Sequence, residues 1–362
     1  ARADLRPVIV RQERVGLHMA DAISRLSNGN GVGVFAMQHG PGSENAFGGV
    51  AQAYSESVPI LVLPMGYPRR LAHVNPNFNS SESMRPITKS AEPITSAAEI
   101  PNIFRRAFSR LRNGRGGPVL VEIPDDLWSE DMPGLFDYVP VAVARYAPDI
   151  SDIRKAAAKL VQAQQPVIYA GQGVHYAEAW APLKQLAEFL GAPVGTSLQG
   201  KSAFPENHPL SIGFIRGDPV IHFLQKADLI FSIGSGLNQT TSMAPRIPEG
   251  KTVVQITIDE RDLNKGTPID LAIVGDAKLV LKQLIEEVKR QGGEGRRNEA
   301  LLEEIKEQKD RWLKQLMPWA TSDEVPINPY RVIWDFMNTV DRKNTIVTHD
   351  AGSPRDQTTT LY

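Results

Sequence analysis

Short apolar runs alternate with stretches of helical periodicity along almost the whole of this 362-residue chain. Such alternation is typical of parallel β-sheets whose strands are joined by crossover helices. One hydrophobic core seldom extends beyond about 250–300 residues, so a chain of this length favours more than one core. We therefore predict an α/β fold: parallel sheets with helices on both faces, in two successive α/β domains followed by the start of a third.

Clusters of proline and glycine mark the predicted domain boundaries. We predict a first α/β domain over residues 1–135, a second over 150–292, a linker helix over 293–326 and the start of a third domain over 327–362. The strands predicted in the first and third domains are residues 8–10, 32–37, 59–63, 119–123 and 345–348. A loop from 66 to 86 has no clear period, and connections of that length are usually functional or mobile.

Charge and cysteine content exclude several classes of protein. The chain has 40 Lys and Arg against 41 Asp and Glu, so it has no positive field to attract nucleic acid or an anionic membrane. It has no cysteine, which excludes disulfides, thiolate zinc sites and cysteine nucleophiles. No basic and apolar leader opens the chain, and no apolar run approaches membrane-spanning length. We expect a soluble cytoplasmic protein that acts on a small molecule.

Glu13 is the candidate catalytic residue. It follows the apolar run 7–10, at the predicted carboxyl end of the first strand. One βα unit later the sequence reads Gln38, His39, Gly40, Pro41 and Gly42, with Ser43 and Asn45 behind them. The glycines predict a tight turn from strand to helix, and Ser43 is a candidate cap for that helix. The alternatives are a first-turn carboxylate that complements a helix dipole, and a plain loop.

These segments resemble the pyrimidine-binding domain of thiamine-diphosphate enzymes of the acetolactate synthase type. Arg11-Gln12-Glu13 is similar to the acidic signature of that family, which usually has His in place of Gln12. Further similar segments follow in the family's order: 116–124, 203–210, 274–277 and 349–352. The resemblance identifies residues 1–135 with a pyrimidine domain that is incomplete at its amino end, 150–292 with the central domain, and 327–362 with the start of the diphosphate domain.

The resemblance implies a role for Glu13 in the activation of thiamine diphosphate. In the family this carboxylate hydrogen-bonds a ring nitrogen of the aminopyrimidine and favours its imino tautomer, which removes the thiazolium C2 proton. Burial in an apolar crevice would strengthen that bond. The substrate is a 2-oxo acid, and the cofactor serves as the electron sink. The expected cofactor contacts are Gln38, His39, Gly40, Pro41, Gly42 and Asn45.

The family also implies a shared active site in a homodimer or homotetramer, and a bound magnesium ion. Its members hold Mg²⁺ and the diphosphate with a Gly-Asp-Gly motif and a later Asn in the third domain. No such motif occurs in this sequence. We therefore predict no metal ligand within this chain, and we expect the Mg²⁺ ligands to lie outside it.

The second domain carries weaker nucleotide-binding signals. Two glycine turns, Gly171 with Gly173 and Gly234 with Gly236, follow predicted strands, but neither is a complete GxGxxG motif. Asp259 ends another predicted strand, where an acid can hydrogen-bond a ribose hydroxyl. In the family this domain binds FAD in some members, ADP in others and nothing in several.

Two departures leave FAD and the acetolactate assignment open. Leu237-Asn238-Gln239 stands where acetolactate synthases usually carry an Arg, and residues 78–82 replace a Phe-Gln-Glu segment. The leading hypothesis is a lyase or carboligase. A nucleotide-binding regulatory or electron-transfer module and a catalytically silent homologue are the alternatives, and the lyase hypothesis alone requires Glu13.

Overall fold

A computed structural model describes residues 6–132, 134, 138–139, 142–214, 217–238, 246–293, 295–296 and 298–361. The chain divides into two compact units, Ala1–Tyr146 and Ala147–Tyr362. Each unit contains its own parallel sheet.

The first unit has a four-stranded sheet. Its strands are β1 (Gly33–Met37), β2 (Ile60–Gly66), β3 (Ser90–Pro93) and β4 (Val119–Pro124). Their order is β1-β2-β4-β3, and every neighbouring pair is parallel. The α-helices of this unit are α1 (Glu13–Leu26), α2 (Pro41–Ser55), α3 (Ser80–Ser83) and α4 (Ile100–Arg112). Short 3₁₀ turns occupy Arg69–Leu71, Arg85–Ile87, Ala97–Glu99 and Asp125–Ser129.

Helices cover both faces of this sheet. Val62 and Leu120 lie in a core cluster with Leu17 of α1 and Val50 of α2. Their sequence neighbours lie in a second cluster: Leu61, Val119 and Val121 pack with Ile103, Ala107 and Leu111 of α4. Successive side chains of a strand point to opposite faces, so the two clusters lie on opposite sides of the sheet. The predicted α/β class with helices on both faces is confirmed.

Glycine allows α1 to lie very close to β1. A Cβ atom added to Gly33 would lie 2.0 Å from the carbonyl oxygen of Ala20, and one added to Gly16 would lie 2.1 Å from the ring of Phe35. Real side chains do not reach such distances, so both positions need glycine for this packing. The close approach places the first turn of α1 over the edge of the sheet.

In the first and third predicted domains, two predicted strands are absent from the structure, and one observed strand was not predicted. Residues 8–10 form no strand, and Val8 and Ile9 are 60% and 90% exposed. Residues 345–348 form none either, and Ile346 is 93% exposed. Within the described residues, neither segment has a neighbouring strand with which its backbone can pair. The apolar runs alone therefore predicted strands wrongly. Strand β3 was missed because its sequence Ser-Ala-Glu-Pro is polar, as suits an edge strand.

The second unit has a six-stranded sheet. Its strands are β5 (Pro166–Ala170), β6 (Val194–Thr196), β7 (Ser211–Phe214), β8 (Leu229–Ile233), β9 (Thr252–Thr257) and β10 (Leu271–Val274). Their order is β10-β9-β8-β5-β6-β7, with all pairs parallel. The chain moves outward from β5 through β6 and β7, then returns to β8 on the other side of β5. This reversal is a topological switch point, where α/β sheets commonly bind ligands.

The helices of the second unit are α5 (Ile150–Gln162), α6 (Gly173–Tyr176), α7 (Trp180–Leu190), α8 (Asp218–Lys226), α9 (Ala277–Arg290), α10 (Glu299–Ala320), α11 (Pro329–Thr339) and α12 (Ser353–Leu361). Helix α10 is the charged helix that the sequence places within 293–326. Asn298 caps it by accepting a hydrogen bond from the amide of Leu301. Ile305 is buried in the core of this unit, with Leu301 and Leu302 packed against it. One apolar stripe therefore docks α10, and the carboxylate of Glu304 adds ion pairs with His222 and Lys226 of α8.

Candidate active site

The carboxylate of Glu13 lies beside the Gly-Pro-Gly bend. Glu13 is the first residue of α1 and is partly buried. A Cβ atom added to Gly42 would lie 3.5 Å from Oε1 of Glu13 and 3.0 Å from Cβ of Gln38. The structure thus brings together Glu13, Gln38 and Gly42, which the sequence analysis linked. The first-turn position also suits a carboxylate that complements the helix dipole, so both interpretations of Glu13 are compatible with its place.

The bend itself depends on Gly40 and Pro41. Gly40 has φ +58°, a conformation that glycine adopts without steric cost, and it precedes the first turn of α2. Pro41 begins α2, where its missing N–H would have no helical partner in any case. Ser43 is not the helix cap, contrary to the prediction, because Gly40 occupies that position. The hydroxyl of Ser43 instead donates to the carbonyl of Gln38 at 3.1 Å.

His39 is held by packing at the end of β1. Its ring packs on Tyr67 with centroids 4.4 Å apart and an interplanar angle of 53°. Nδ1 of His39 is buried and has no hydrogen-bond partner among the described residues. The side chains of Gln38 and Asn45 are exposed. The predicted cofactor contacts therefore form one cluster around the bend, from the end of β1 to the first turn of α2.

The loop after β2 is anchored at its amino end. The carboxylate of Asp126 accepts hydrogen bonds from the amide of Arg69 at 3.0 Å and from its Nε at 2.9 Å. The guanidinium of Arg69 also donates to the carbonyl of Thr95 at 2.8 Å and pairs with Glu130. These bonds fix the segment immediately after Tyr67, and so they help to hold Tyr67 in its contact with His39.

Glu122 anchors the same loop from the sheet. Its side chain is buried in β4, and Oε2 accepts the amide of Ser81 at 2.7 Å. Burial raises the pKa of Glu122 above its ordinary value, although the hydrogen bonds from Ser81 oppose the shift. A Cβ atom added to Gly66 of β2 would lie 2.6 Å from Oε1 of Glu122, so glycine makes room for this carboxylate. Glu122 is not among the residues that the sequence predicts for the site, although an acid inside the apolar run 119–124 is an available signal.

The two glycine turns of the second unit pack on each other at the switch point. The amide of Gly173 donates to the carbonyl of Gly234, and that of Gly171 to the carbonyl of Ile233, both at 2.9 Å. A Cβ atom added to Gly171 would lie 2.4 Å from the oxygen of Gly234. Three of the four predicted glycines, Gly171, Gly173 and Gly234, lie against one another, whereas a Cβ atom added to Gly236 would lie 2.9 Å from Oδ1 of Asp262. The close approach of Gly171, Gly173 and Gly234 is enough to explain why they are glycine, and no bound phosphate is needed for that explanation.

Asp259 is already engaged by a neighbour. Its carboxylate accepts the amide of Arg261 at 3.0 Å and pairs with the guanidinium of the same residue at 2.7 Å. Of the Leu237-Asn238-Gln239 segment, Gln239 lies outside the described residues. Oδ1 of Asn238 is buried with no hydrogen-bond partner in the described part of the chain.

No group of three or more His, Asp or Glu side chains that could hold a metal ion occurs in the described ranges. Across those same ranges, no helix has both the length and the apolar character needed to cross a membrane.

Family models of thiamine pyrophosphate enzymes match two parts of the chain. Residues 1–87 match the family model of the thiamine pyrophosphate enzyme N-terminal TPP binding domain, and residues 153–284 match that of the central domain. The chain is 34% identical to the probable acetolactate synthase large subunit of Methanocaldococcus jannaschii, over 97% of this chain and 61% of the relative. It is 31% identical to glyoxylate carboligase of Escherichia coli O157:H7, over 91% of this chain and 56% of that enzyme.

The fold also matches a solved structure. Benzoylformate decarboxylase from Polynucleobacter necessarius superposes with a TM-score of 0.81, over 99% of this chain and 66% of that one, at 22% identity. That identity supports the fold alone. Together, the parallel sheets and the two domain models define the class as thiamine pyrophosphate enzymes. The chain belongs to the acetolactate synthase-like family of that class, and it spans about half to three fifths of the length of the curated relatives it matches.

Proposed function

We propose that the complete protein is a thiamine-diphosphate-dependent lyase or carboligase of 2-oxo acids, with Glu13 as its catalytic residue. The observation that carries the proposal is the position of Glu13 Oε1 beside Gly42, at the bend whose residues the family resemblance assigns to the cofactor. A carboxylate there is within reach of a ring that rests on the bend. A nucleotide-binding module without thiamine chemistry has no need of this arrangement.

The residues around the bend fit the cofactor. Gly42 leaves a space that a Cβ atom would fill, directly between Gln38 and Glu13. His39 presents an imidazole fixed by Tyr67, and Gln38, Gly40, Pro41 and Asn45 complete the surface. When bound, thiamine diphosphate supplies the electron sink for decarboxylation of a 2-oxo acid. Glu13 would share a proton with a ring nitrogen of the aminopyrimidine, and the bend would hold that ring against Glu13.

We propose that Mg²⁺ and the diphosphate are held by residues outside this chain. The domain models that match cover the N-terminal and central domains, and the curated relatives are longer than this chain. This chain is therefore expected to be inactive alone. We also propose a cytoplasmic location, in keeping with a cysteine-free sequence.

A second copy of the chain is the proposed partner, as a homodimer or homotetramer with a shared site. The outer side of α1 and α2 exposes large apolar side chains: Val15, Met19, Ile23, Leu26, Phe47 and Tyr54. On α1 these residues recur every three or four positions, so they form one stripe. Exposed apolar stripes of this extent mark interaction surfaces. The stripe belongs to the two helices that carry Glu13 and the bend.

A nucleotide role for the central domain has weaker support. The glycine turns lie at the switch point, but they already contact each other, and Arg261 already occupies the carboxylate of Asp259. FAD or ADP would have to displace that ion pair to reach Asp259. Flavin absorbance in the purified complete protein would favour this second candidate function.

Decarboxylation assays test the proposed function. The complete protein, stripped of cofactor, is given a panel of 2-oxo acids with thiamine diphosphate and Mg²⁺, together or singly. We expect release of CO₂ from at least one acid, and only when both are present. Tight binding of thiamine diphosphate without turnover of any acid would indicate the silent homologue, and no binding at all would contradict the proposal.

A further inference from the structure

Two buried hydroxyls join the long loop to the Gly-Pro-Gly bend. Ser80 and Ser43 are 1% and 0% exposed, and they lie 37 residues apart in the sequence. The hydroxyl of Ser80 donates to Oγ of Ser43 at 3.0 Å, and that of Ser43 donates to the carbonyl of Gln38 at 3.1 Å. The result is a continuous chain of donors that runs from the loop to the backbone between β1 and the bend.

The loop end of this chain is itself fixed. Ser80 and Ser81 begin α3, where Asn79 Oδ1 accepts the amide of Glu82 at 3.0 Å. The buried carboxylate of Glu122 accepts the amide of Ser81 at 2.7 Å. Because β4 supplies Glu122, the short helix α3 is tied to the centre of the sheet rather than to solvent. Ser80 therefore links the bend to β4 through α3.

The loop touches the bend at a second point as well. Tyr67, at the start of the loop, packs on the ring of His39. A Cβ atom added to Gly40 would lie 3.1 Å from the hydroxyl of Tyr67. The peptide of Gln38 and His39 is thus held between an aromatic contact at one end of the loop and a hydroxyl pair near its middle.

We propose that Ser80 is a positioning residue of the thiamine site: through Ser43 it holds the Gln38 carbonyl, and with it the bend, in register with Glu13. The expected effect of Ser80 on catalysis rests on the proposed function. Its expected effect on the position of the bend rests on geometry alone. Gln38 Cβ and Glu13 Oε1 flank the same point above Gly42, so a shift of the Gln38 peptide changes the space in which the aminopyrimidine is to rest. Rates in such sites are sensitive to small displacements.

The structural arm of the test uses the complete protein without cofactor. Backbone hydrogen exchange is followed by mass spectrometry in peptides that cover residues 36–45, which do not contain the mutation Ser80→Ala. Exchange in that segment is expected to accelerate about tenfold, the size that follows from the loss of one buried hydrogen bond. Ser83→Ala is the matched control, since Ser83 lies in the same short helix but is exposed. Unchanged exchange over 36–45, or an equal change in the control, would overturn the proposal.

The catalytic arm separates positioning from simple destabilisation. With saturating thiamine diphosphate and Mg²⁺, Ser80→Ala should slow exchange of the thiazolium C2 proton about tenfold, with cofactor affinity changed less than about threefold. Ser43→Ala combined with Ser80→Ala should be no slower than Ser43→Ala alone, because both act through one chain of donors. A parallel loss of affinity and rate would indicate a merely structural role and overturn the inference. If wild-type protein itself catalyses no C2 exchange, the proposed function fails, whatever the outcome of the structural arm.

Discussion

Oε1 of Glu13 lies 3.5 Å from the point where a side chain on Gly42 would begin. The two residues belong to different helices, α1 and α2, yet a side chain on Gly42 would begin in contact with the carboxylate of Glu13. A carboxylate held beside the bend suits a ring nitrogen that must exchange a proton. This relationship is the structural basis of the proposed function.

Gly42→Ala should impair catalysis without unfolding the protein. The new methyl group would lie 3.0 Å from Gln38 Cβ and 3.5 Å from Glu13 Oε1, in the space assigned to the cofactor ring. We expect cofactor-dependent turnover to fall at least about tenfold, equal to about 1.4 kcal/mol of transition-state free energy. Steady-state kinetics on the complete protein measures this. Gly295→Ala is the control, since a Cβ there meets nothing within 4 Å, and normal turnover by Gly42→Ala would count against the assigned space.

Gly48→Leu should weaken self-association without lowering the stability of the fold. Gly49 packs on Leu17, which explains one glycine in the middle of α2, but a Cβ on Gly48 meets nothing within 4 Å. Leu is the better helix former by about 0.8 kcal/mol, so the isolated fold should not lose stability. If α1 and α2 form the interface between copies, the added side chain should weaken dimers, as measured by light scattering across a dilution series. Lys184→Leu, at an exposed position of α7, is the control, and an undisturbed dimer would show that the interface lies elsewhere.

Glu122→Gln should alter how stability depends on pH. Burial raises the pKa of Glu122, so the folded protein holds this proton more tightly than the unfolded chain does. Its contribution to stability is fully present below the ordinary pKa of 4.5 and is lost as pH rises through the raised value. The Gln variant has no charge and keeps an oxygen to accept the amide of Ser81.

Denaturant unfolding at a series of pH values measures this effect. The stability of wild type relative to Glu122→Gln should decline from acid toward neutral pH. Glu82→Gln provides the comparison, because Glu82 is exposed in the same loop. A relative stability that rises with pH would show that the hydrogen bonds from Ser81 outweigh burial.

Gly173→Ala should destabilise the central domain whether or not a nucleotide binds there. The added Cβ would lie 2.8 Å from Cα of Gly234, a backbone contact that cannot yield without moving β8. We expect a loss of about 1–3 kcal/mol in the free energy of unfolding of this domain. Calorimetry without added nucleotide is the measurement. Wild-type stability in the absence of nucleotide, combined with lost FAD or ADP binding, would instead assign Gly173 to a ligand.

Much of the fold followed from the sequence because apolar runs and helical periods are local signals. Val62 and Leu120, in their runs of apolar residues, predicted buried parallel strands. The run at residues 8–10 misled for a physical reason: a strand needs a partner for its backbone, and periodicity does not supply one. Strand β3 shows the converse, because pairing with β4 makes a strand of the polar residues Ser90–Pro93.

The site was predictable only in part. Glu13 and the bend each follow an apolar run, so their positions could be anticipated from the sequence. Ser80, Ser43 and Glu122 could not be joined in advance, because their contacts span 37 and 41 residues and depend on the path of an irregular loop. The role of Ser43 was mistaken for a different reason. Gly40 occupies the cap position of α2, so the hydroxyl of Ser43 donates to the nearby carbonyl of Gln38 instead.

The most direct test of the account is exchange of the thiazolium C2 proton, followed by NMR with the complete protein, thiamine diphosphate and Mg²⁺. Glu13→Gln is compared with wild type and with Glu99→Gln, a control in the same unit. We predict fast exchange in wild type and control, and a decrease of at least about 100-fold in Glu13→Gln, with its fold and cofactor binding retained. Exchange at the wild-type rate in Glu13→Gln would contradict the assignment of Glu13.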